Sequence, residues 1–268
     1  MRPLRIGHSP DPDDAFLFYG FATHRVRVPG CEILHVLEDI QTLNERAAGP
    51  DPLEVTALSA HAWLGLRERY DWLEVGSSVG RGYGPRLVAR EPRSLDSLAG
   101  ARIALPGAKT TATLVARGLL PRFQEVQTDF RDVLAAVRAG EVDAGVVIHE
   151  GQLTFGAEGF HLVADLGALF SERHGGLPLP LGVNCVRRDL ADSLRRDVAR
   201  AYRCSVELAL AERAAALDYA LAYGRGISRA LADRFIGMYV NEDSLALRDD
   251  LHRAVGVLER DYKAHATA

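Results

Sequence analysis

The sequence predicts an α/β protein of two lobes joined by two crossover segments. Three observations predict it. Apolar β-branched runs alternate with helical periodicity over residues 1–70. A second alternation begins near Leu95 and continues to Val186. Two extended stretches, Pro85–Arg90 and Leu181–Val186, border that second block, and the chain after Ser193 is almost all helix. A βαβα order implies parallel strands covered by helices. The helical tail needs a partner, and the first block is the natural one. The expected lobes are residues 1–90 with 186–268 and residues 91–185. The crossover segments would form a hinge, with a ligand between the lobes held by helix N-termini.

Composition agrees with a globular chain. Its 268 residues suffice for one large domain or two smaller ones. Apolar residues make up 47% and charged residues 25%, ordinary proportions for such proteins. The net charge is −4, and every basic residue except Lys109 and Lys263 is arginine. No basic block could track a phosphate backbone, so nucleic acid is not an expected partner. No apolar run approaches the ~20 residues of a membrane span. Met1-Arg2-Pro3 leads straight into a strand with no apolar signal region. A cytoplasmic location away from the membrane is expected. Cys31, Cys185 and Cys204 match no metal or disulfide spacing and read as small buried apolar residues. The sequence leaves the oligomeric state open.

Taken in order, Leu4–Gly7 reads as the first strand. Asp11 then stands as an N-cap, with Pro12 at the first helical position. Asp13 and Asp14 follow in the first turn, where carboxylates complement the helix dipole. The same aspartates could instead suggest a metal site, although no second ligand motif accompanies them. Glu32–Leu37 is a second strand, and 39–48 is a helix with Ile40, Leu43 and Ala47 on one face. Leu53–Leu58 is a third strand, with Ser59 at an N-cap position before His61 and Trp63, which read as packing residues. Gly76–Gly84 is a loop without the spacing of a dinucleotide fingerprint.

In the second block, Leu95–Leu98 is a helical turn and Ala101–Leu105 a strand. Pro106–Thr111 turns into a helix over 112–120. Its Thr110 and Thr111 are either a plain threonine cap or part of a small anion site at a helix start. Val126–Phe130 is a strand, 131–139 a helix closed by Gly140, and Phe160–Ala164 another strand. Val183–Val186 continues the extended Leu177–Gly182 segment. In the tail, Leu194, Val198, Ala201 and Leu208 share one face of a long helix. Leu231, Phe235, Met238 and Tyr239 mark another. Val240–Ser244 interrupts the pattern before a last helix over 249–263.

The run Ala144–Ile148 is a buried strand that ends on His149, with a loop starting at Gly151. Ligands of α/β sheets sit beyond the carboxyl ends of strands. A histidine there is either fixed by a local hydrogen bond or poised to exchange a proton near neutral pH. His8 also follows a strand and is its closest rival.

Several segments together resemble the MqnD family, the 1,4-dihydroxy-6-naphthoate synthases of the futalosine route to menaquinone. They are Ser9–Phe16, Leu37-Glu38-Asp39, Thr42-Leu43-Asn44, Gly80-Arg81-Gly82 with Gly84-Pro85, Thr110-Thr111, and Ile148-His149-Glu150. Leu177–Gly182, Arg187–Leu190 and Tyr239-Val240-Asn241 extend the resemblance over nearly the whole chain. It implies a two-lobed, type II periplasmic-binding-protein-like fold. It also implies a cytoplasmic enzyme, without cofactor or metal, that cleaves cyclic dehypoxanthine futalosine, a carboxylated small molecule. His149 matches the family's proton acceptor. Thr110 and Thr111 match its substrate-binding turn, and Ala57, Leu58 and Ser59 match a Lys-Leu-Ser segment. Ser9, Asp14 and Asn241 are further candidate substrate contacts. Asp11, Asp13, Ala15 and Ala57 depart from the family pattern, and an acidic rim at Asp11–Asp14 would repel a carboxylate unless capped or turned away. Chorismate dehydratase (the MqnA type) and a non-catalytic solute-binding protein of the same fold are the alternatives.

Overall fold

The computed structural model describes residues 1–224 and 226–266. Its strands are β1 (Arg2–His8), β2 (Cys31–Leu37), β3 (Val55–Ser59), β4 (Tyr70–Trp72), β5 (Ser78–Gly80) and β6 (Arg86–Ala89). They continue with β7 (Arg102–Leu105), β8 (Gln124–Gln127), β9 (Ala144–Val147), β10 (His161–Asp165) and β11 (Leu179–Arg187). The chain divides into two compact units, Met1–Val79 with Gly182–Arg248 and Gly80–Leu181 with Asp249–Ala268.

Unit 1 holds a sheet in the order β2-β1-β3-β11-β4, with β5 paired to β11. β1 runs parallel to β2 and β3, but β11 is antiparallel to β3 and to β4. The uniformly parallel sheet implied by the βαβα order is therefore a mixed one. A strand buried on both faces reads as an apolar run whichever way it points, so direction is not written in the pattern. The helix Ile40–Ala48 starts at Asp39, whose carboxylate accepts from the Gln41 and Thr42 N–H groups at 3.0 and 3.1 Å. That helix lies so close to β1 that a Cβ on Gly7 would meet the Leu43 side chain at 2.9 Å. Phe16, Phe18, Phe21, Tyr202, Val206 and Ile236 build the main core, each contributing roughly 1.5–3 kcal/mol by leaving water. Much of that core comes from the helix Asp192–Ala211, which buries Val198, Ala201, Tyr202, Val206 and Ala209 along one stripe.

Unit 2 holds a sheet in the order β10-β6-β9-β7-β8. β7 is parallel to β8 and β9, while β6 is antiparallel to both β9 and β10. The helix Val133–Ala139 packs directly on β9, because Gly145 has no Cβ to meet the Val133 and Val137 side chains. It ends at Gly140, in the left-handed conformation that glycine adopts without a Cβ clash.

Sequence pattern alone groups the whole tail with the first lobe and cuts the chain near 90 and 185. In the structure the last helix, Asp249–Ala266, joins unit 2, packing on the helix Thr111–Leu119. Leu251, Ala254 and Leu258 form its buried stripe, and an apolar stripe shows that a partner exists without saying which. The chain consequently passes between units at three places, Val79–Gly80, Leu181–Gly182 and Arg248–Asp249. Among the described residues no helix is long and apolar enough to cross a membrane.

Candidate active site

The strand carrying the candidate base stops one residue early. β9 is buried along its length and ends at Val147; Ile148, His149 and Glu150 are half-buried beyond it. His149 has φ +54°, a left-handed backbone that residues other than glycine seldom adopt and that gathers at functional sites. The His149 carbonyl accepts from the Gln152 N–H at 3.1 Å, which opens the short helix Gly151–Thr154. The imidazole meets the Phe130 ring edge-on, with centroids 5.0 Å apart and planes at 68°.

Phe130 does not lie in a strand. β8 ends at Gln127, and the Thr128 N–H reaches the Leu105 carbonyl at 3.0 Å. The Asp129 carboxylate then takes the Arg131 N–H at 2.9 Å and turns the chain. An Asx turn has overridden the apolar pattern that suggested a longer strand.

At the end of β7, Thr110 is the N-cap of the helix Thr111–Leu119, and its Oγ1 accepts from the Thr113 N–H at 3.2 Å. The neighbouring Thr111 Oγ1 donates to the Leu181 carbonyl at 2.8 Å, fastening β11 to the same turn. Both threonines are buried. The capping reading of Thr110 is thus realised.

In unit 1 the expected capping does not occur. Asp11 occupies the N-cap position before the helix Pro12–Leu17, but its side chain makes no cap bond. Its Oδ2 instead accepts from Ser9 Oγ. The Ser9 N–H donates to Asp14 Oδ2 at 2.9 Å. Burial, then the charges of Asp14 and Asp11, pushes Asp13 well above the usual carboxylate range. Burial and the Asp11 charge push Asp14 up to about 7. These carboxyls hold protons more readily than ordinary aspartates, which weakens the acidic rim expected to repel a carboxylate. His8 is fully buried, stacked on Phe18 with ring centroids 4.0 Å apart. Burial brings it down to about 4.

Ser59 also fails to cap its helix. Asn44, fifteen residues earlier, takes its place as partner: the amide Oδ1 accepts from the Ser59 N–H and Nδ2 donates to Ser59 Oγ, both at 2.9 Å. Ala57 packs with Leu43 and Leu53, and Leu58 is fully buried, so neither side chain is presented outward. Asn241 spends its amide locally. Its Oδ1 accepts from the Asp243 N–H at 2.9 Å, and its Nδ2 donates to the Met238 carbonyl at 3.0 Å.

Within unit 1 the structure gathers Ser9 with Asp11 and Asp14, and pairs Asn44 with Ser59. In unit 2 it brings Phe130 to His149. Sequence reasoning missed the roles of Asn44 and Phe130. A polar residue between Leu43 and Ala47 on a buried helix face is one usable signal, and a lone aromatic within Thr128-Asp129-Phe130-Arg131-Asp132 is another. Among the described residues no group of three His, Cys, Asp or Glu side chains could hold a metal ion.

With this geometry in place, likeness to known proteins is informative. Residues 4–263 match a family model described as menaquinone biosynthesis. Over 272 aligned residues the chain is 42% identical to a protein of Thermus thermophilus named 1,4-dihydroxy-6-naphthoate synthase, covering 100% of this chain and 97% of that one. A protein of the same name from Streptomyces coelicolor is 35% identical, with 96% and 92% covered. A crystal structure of an Archaeoglobus fulgidus protein superposes with a TM-score of 0.93 at 41% identity, covering 99% of this chain and 98% of that one. The alkanesulfonate-binding protein of Xanthomonas axonopodis pv. citri superposes at 0.74 with 17% identity, over 99% and 94% of the chains. That second likeness concerns the fold alone, which is the periplasmic-binding-protein-like one. The chain belongs to the menaquinone-biosynthesis family and, within it, to the 1,4-dihydroxy-6-naphthoate synthase (MqnD) type.

Proposed function

We propose that the chain converts cyclic dehypoxanthine futalosine into 1,4-dihydroxy-6-naphthoate, a carbon–carbon lyase reaction begun by His149 as general base. The observation that carries this reading is the position of His149: half-buried, beyond the end of β9, on a left-handed backbone. A neutral imidazole there takes the proton of a hydroxyl on the sugar-derived part of the substrate. The O–H electron pair becomes a carbonyl bond, the adjacent carbon–carbon bond breaks, and its electrons pass into the ring system that becomes aromatic. The proton on His149 is then available for return. A base so placed accelerates a reaction by about 10²–10⁴.

Substrate contacts are assigned to Thr110 and Thr111, to Ser9 and Asp14, to Ala57, Leu58 and Ser59, and to Asn241. Ala57 and Leu58 would act through their backbone, since their side chains are buried. The reading carries with it a carboxylated small-molecule substrate, a cytoplasmic location and no cofactor.

Incubating the protein with cyclic dehypoxanthine futalosine and following the naphthoate by chromatography tests the assignment. Naphthoate formed by the unaltered protein and lost with His149→Asn supports it. Failure to form naphthoate, together with dehydration of chorismate in a parallel incubation, would replace it by the chorismate dehydratase reading.

A further inference from the structure

We propose that Phe130 is a positioning residue for the His149 imidazole; the inference rests on the reading of His149 as the base. The backbone of His149 is held on one side by β9 and on the other by the bond from the Gln152 N–H to the His149 carbonyl. Neither contact sets the side-chain torsions. The Phe130 ring packs against the side chain itself, with centroids 5.0 Å apart and planes at 68°, a favoured geometry for aromatic pairs. Phe130 is itself only half-buried, although phenylalanine belongs in a core.

The loop in turn fixes Phe130. Arg131 lies over its ring, 5.9 Å from the centroid. Two N–H groups of that guanidinium reach the Asp129 carboxylate at 2.8 and 2.6 Å. A continuous set of contacts therefore runs from Asp129 through Arg131 and Phe130 to His149.

The test compares Phe130→Leu, Phe130→Met and Phe130→Tyr with His149→Asn in the full chain. The His149 ring resonances are assigned by NMR from their absence in His149→Asn, and turnover is measured with cyclic dehypoxanthine futalosine. Melting temperatures check that each variant is folded. Phe130→Leu and Phe130→Met should move the His149 resonances, through loss of the ring current. They should lower kcat about 3- to 10-fold while KM stays within about 2-fold. Phe130→Tyr should restore both readouts. Two aliphatic variants keep the result readable if one folds poorly.

Resonances unmoved by removing the ring would overturn the inference, as would full kcat in Phe130→Leu and Phe130→Met when His149→Asn is inactive. In those outcomes the base assignment stands. Full turnover in His149→Asn removes the base assignment itself, and the role of Phe130 with it.

Discussion

In unit 1 the strands run β2-β1-β3-β11-β4, with β11 antiparallel to both neighbours; in unit 2 they run β8-β7-β9-β6-β10, with β6 antiparallel to both neighbours. The first parallel strand of each unit, β1 or β7, leads into a helix through a polar turn. The third has a hydrogen-bonding side chain at or just beyond its end: Ser59 closes β3, and His149 lies two residues past β9. At the first position unit 1 places Ser9, Asp11, Asp13 and Asp14, whereas unit 2 places Thr110 and Thr111. At the second position unit 1 has Ser59 clamped by Asn44, and unit 2 has His149 on a strained backbone against Phe130. One topology thus presents two kinds of strand end. The buried, doubly bonded serine suits a fixed contact, and the half-buried histidine suits proton transfer.

The largest expected effect breaks this pairing at His149. His149→Asn should lower kcat by at least ~10². Ser59→Ala at the matching position should change kcat/KM by less than about tenfold, the scale of one neutral hydrogen bond. Steady-state kinetics on both variants would erase the distinction if the two losses were equal.

A second test concerns the clamp. Asn44→Ala leaves the buried Ser59 N–H and hydroxyl without their partners, and should cost about 2–3 kcal/mol of stability in urea unfolding. A loss under about 0.5 kcal/mol, the range of an unremarkable surface substitution, would show that the clamp is not what holds the end of β3.

A smaller difference separates the two helix starts. Thr110→Ala removes a formed cap and should cost about 1 kcal/mol. Asp11→Ala removes no cap; it takes an acceptor from the buried Ser9 hydroxyl but relieves the charges that Asp13 and Asp14 feel, so thermal melts near neutral pH should show a smaller loss. Equal drops in Tm would contradict that difference.

The last effects are pH slopes within unit 1, and they have opposite signs. Asp14 is raised from 3.8 to about 7 by burial and by Asp11. Its folded form keeps a proton that the unfolded form loses, so its contribution to stability falls as pH rises between those values. His8 is lowered from 6.5 to about 4 by burial. Its unfolded form binds a proton that the folded form refuses, so its contribution rises with pH from about 4 to 6.5. Relative to Asp14→Asn, the unaltered protein should lose stability from pH 4 to 7. Relative to His8→Gln, it should gain stability from pH 4 to 6.5. Urea midpoints measured across that range decide both signs.

The elements and many of their ends were legible in the amino-acid sequence. The apolar runs of β3 and β9 became strands because they bury their side chains in a sheet. Asp39 and Thr110 began helices and Gly140 closed one because local side-chain or left-handed backbone chemistry suffices there. The strand-end place of His149 was legible for the same reason, since β9 and the Gly151 turn are neighbours in the chain. Folding settled the matters that depend on distant residues. It set the antiparallel direction of β6 and β11, because an apolar strand carries no arrow. It gave Ser59 to Asn44 instead of to its own helix, and Ser9 to Asp11 and Asp14. It brought Phe130 onto His149 and the last helix onto the helix Thr111–Leu119. In each case the choice of partner depends on which surfaces packing brings together, whereas sequence pattern records only that a group needs one.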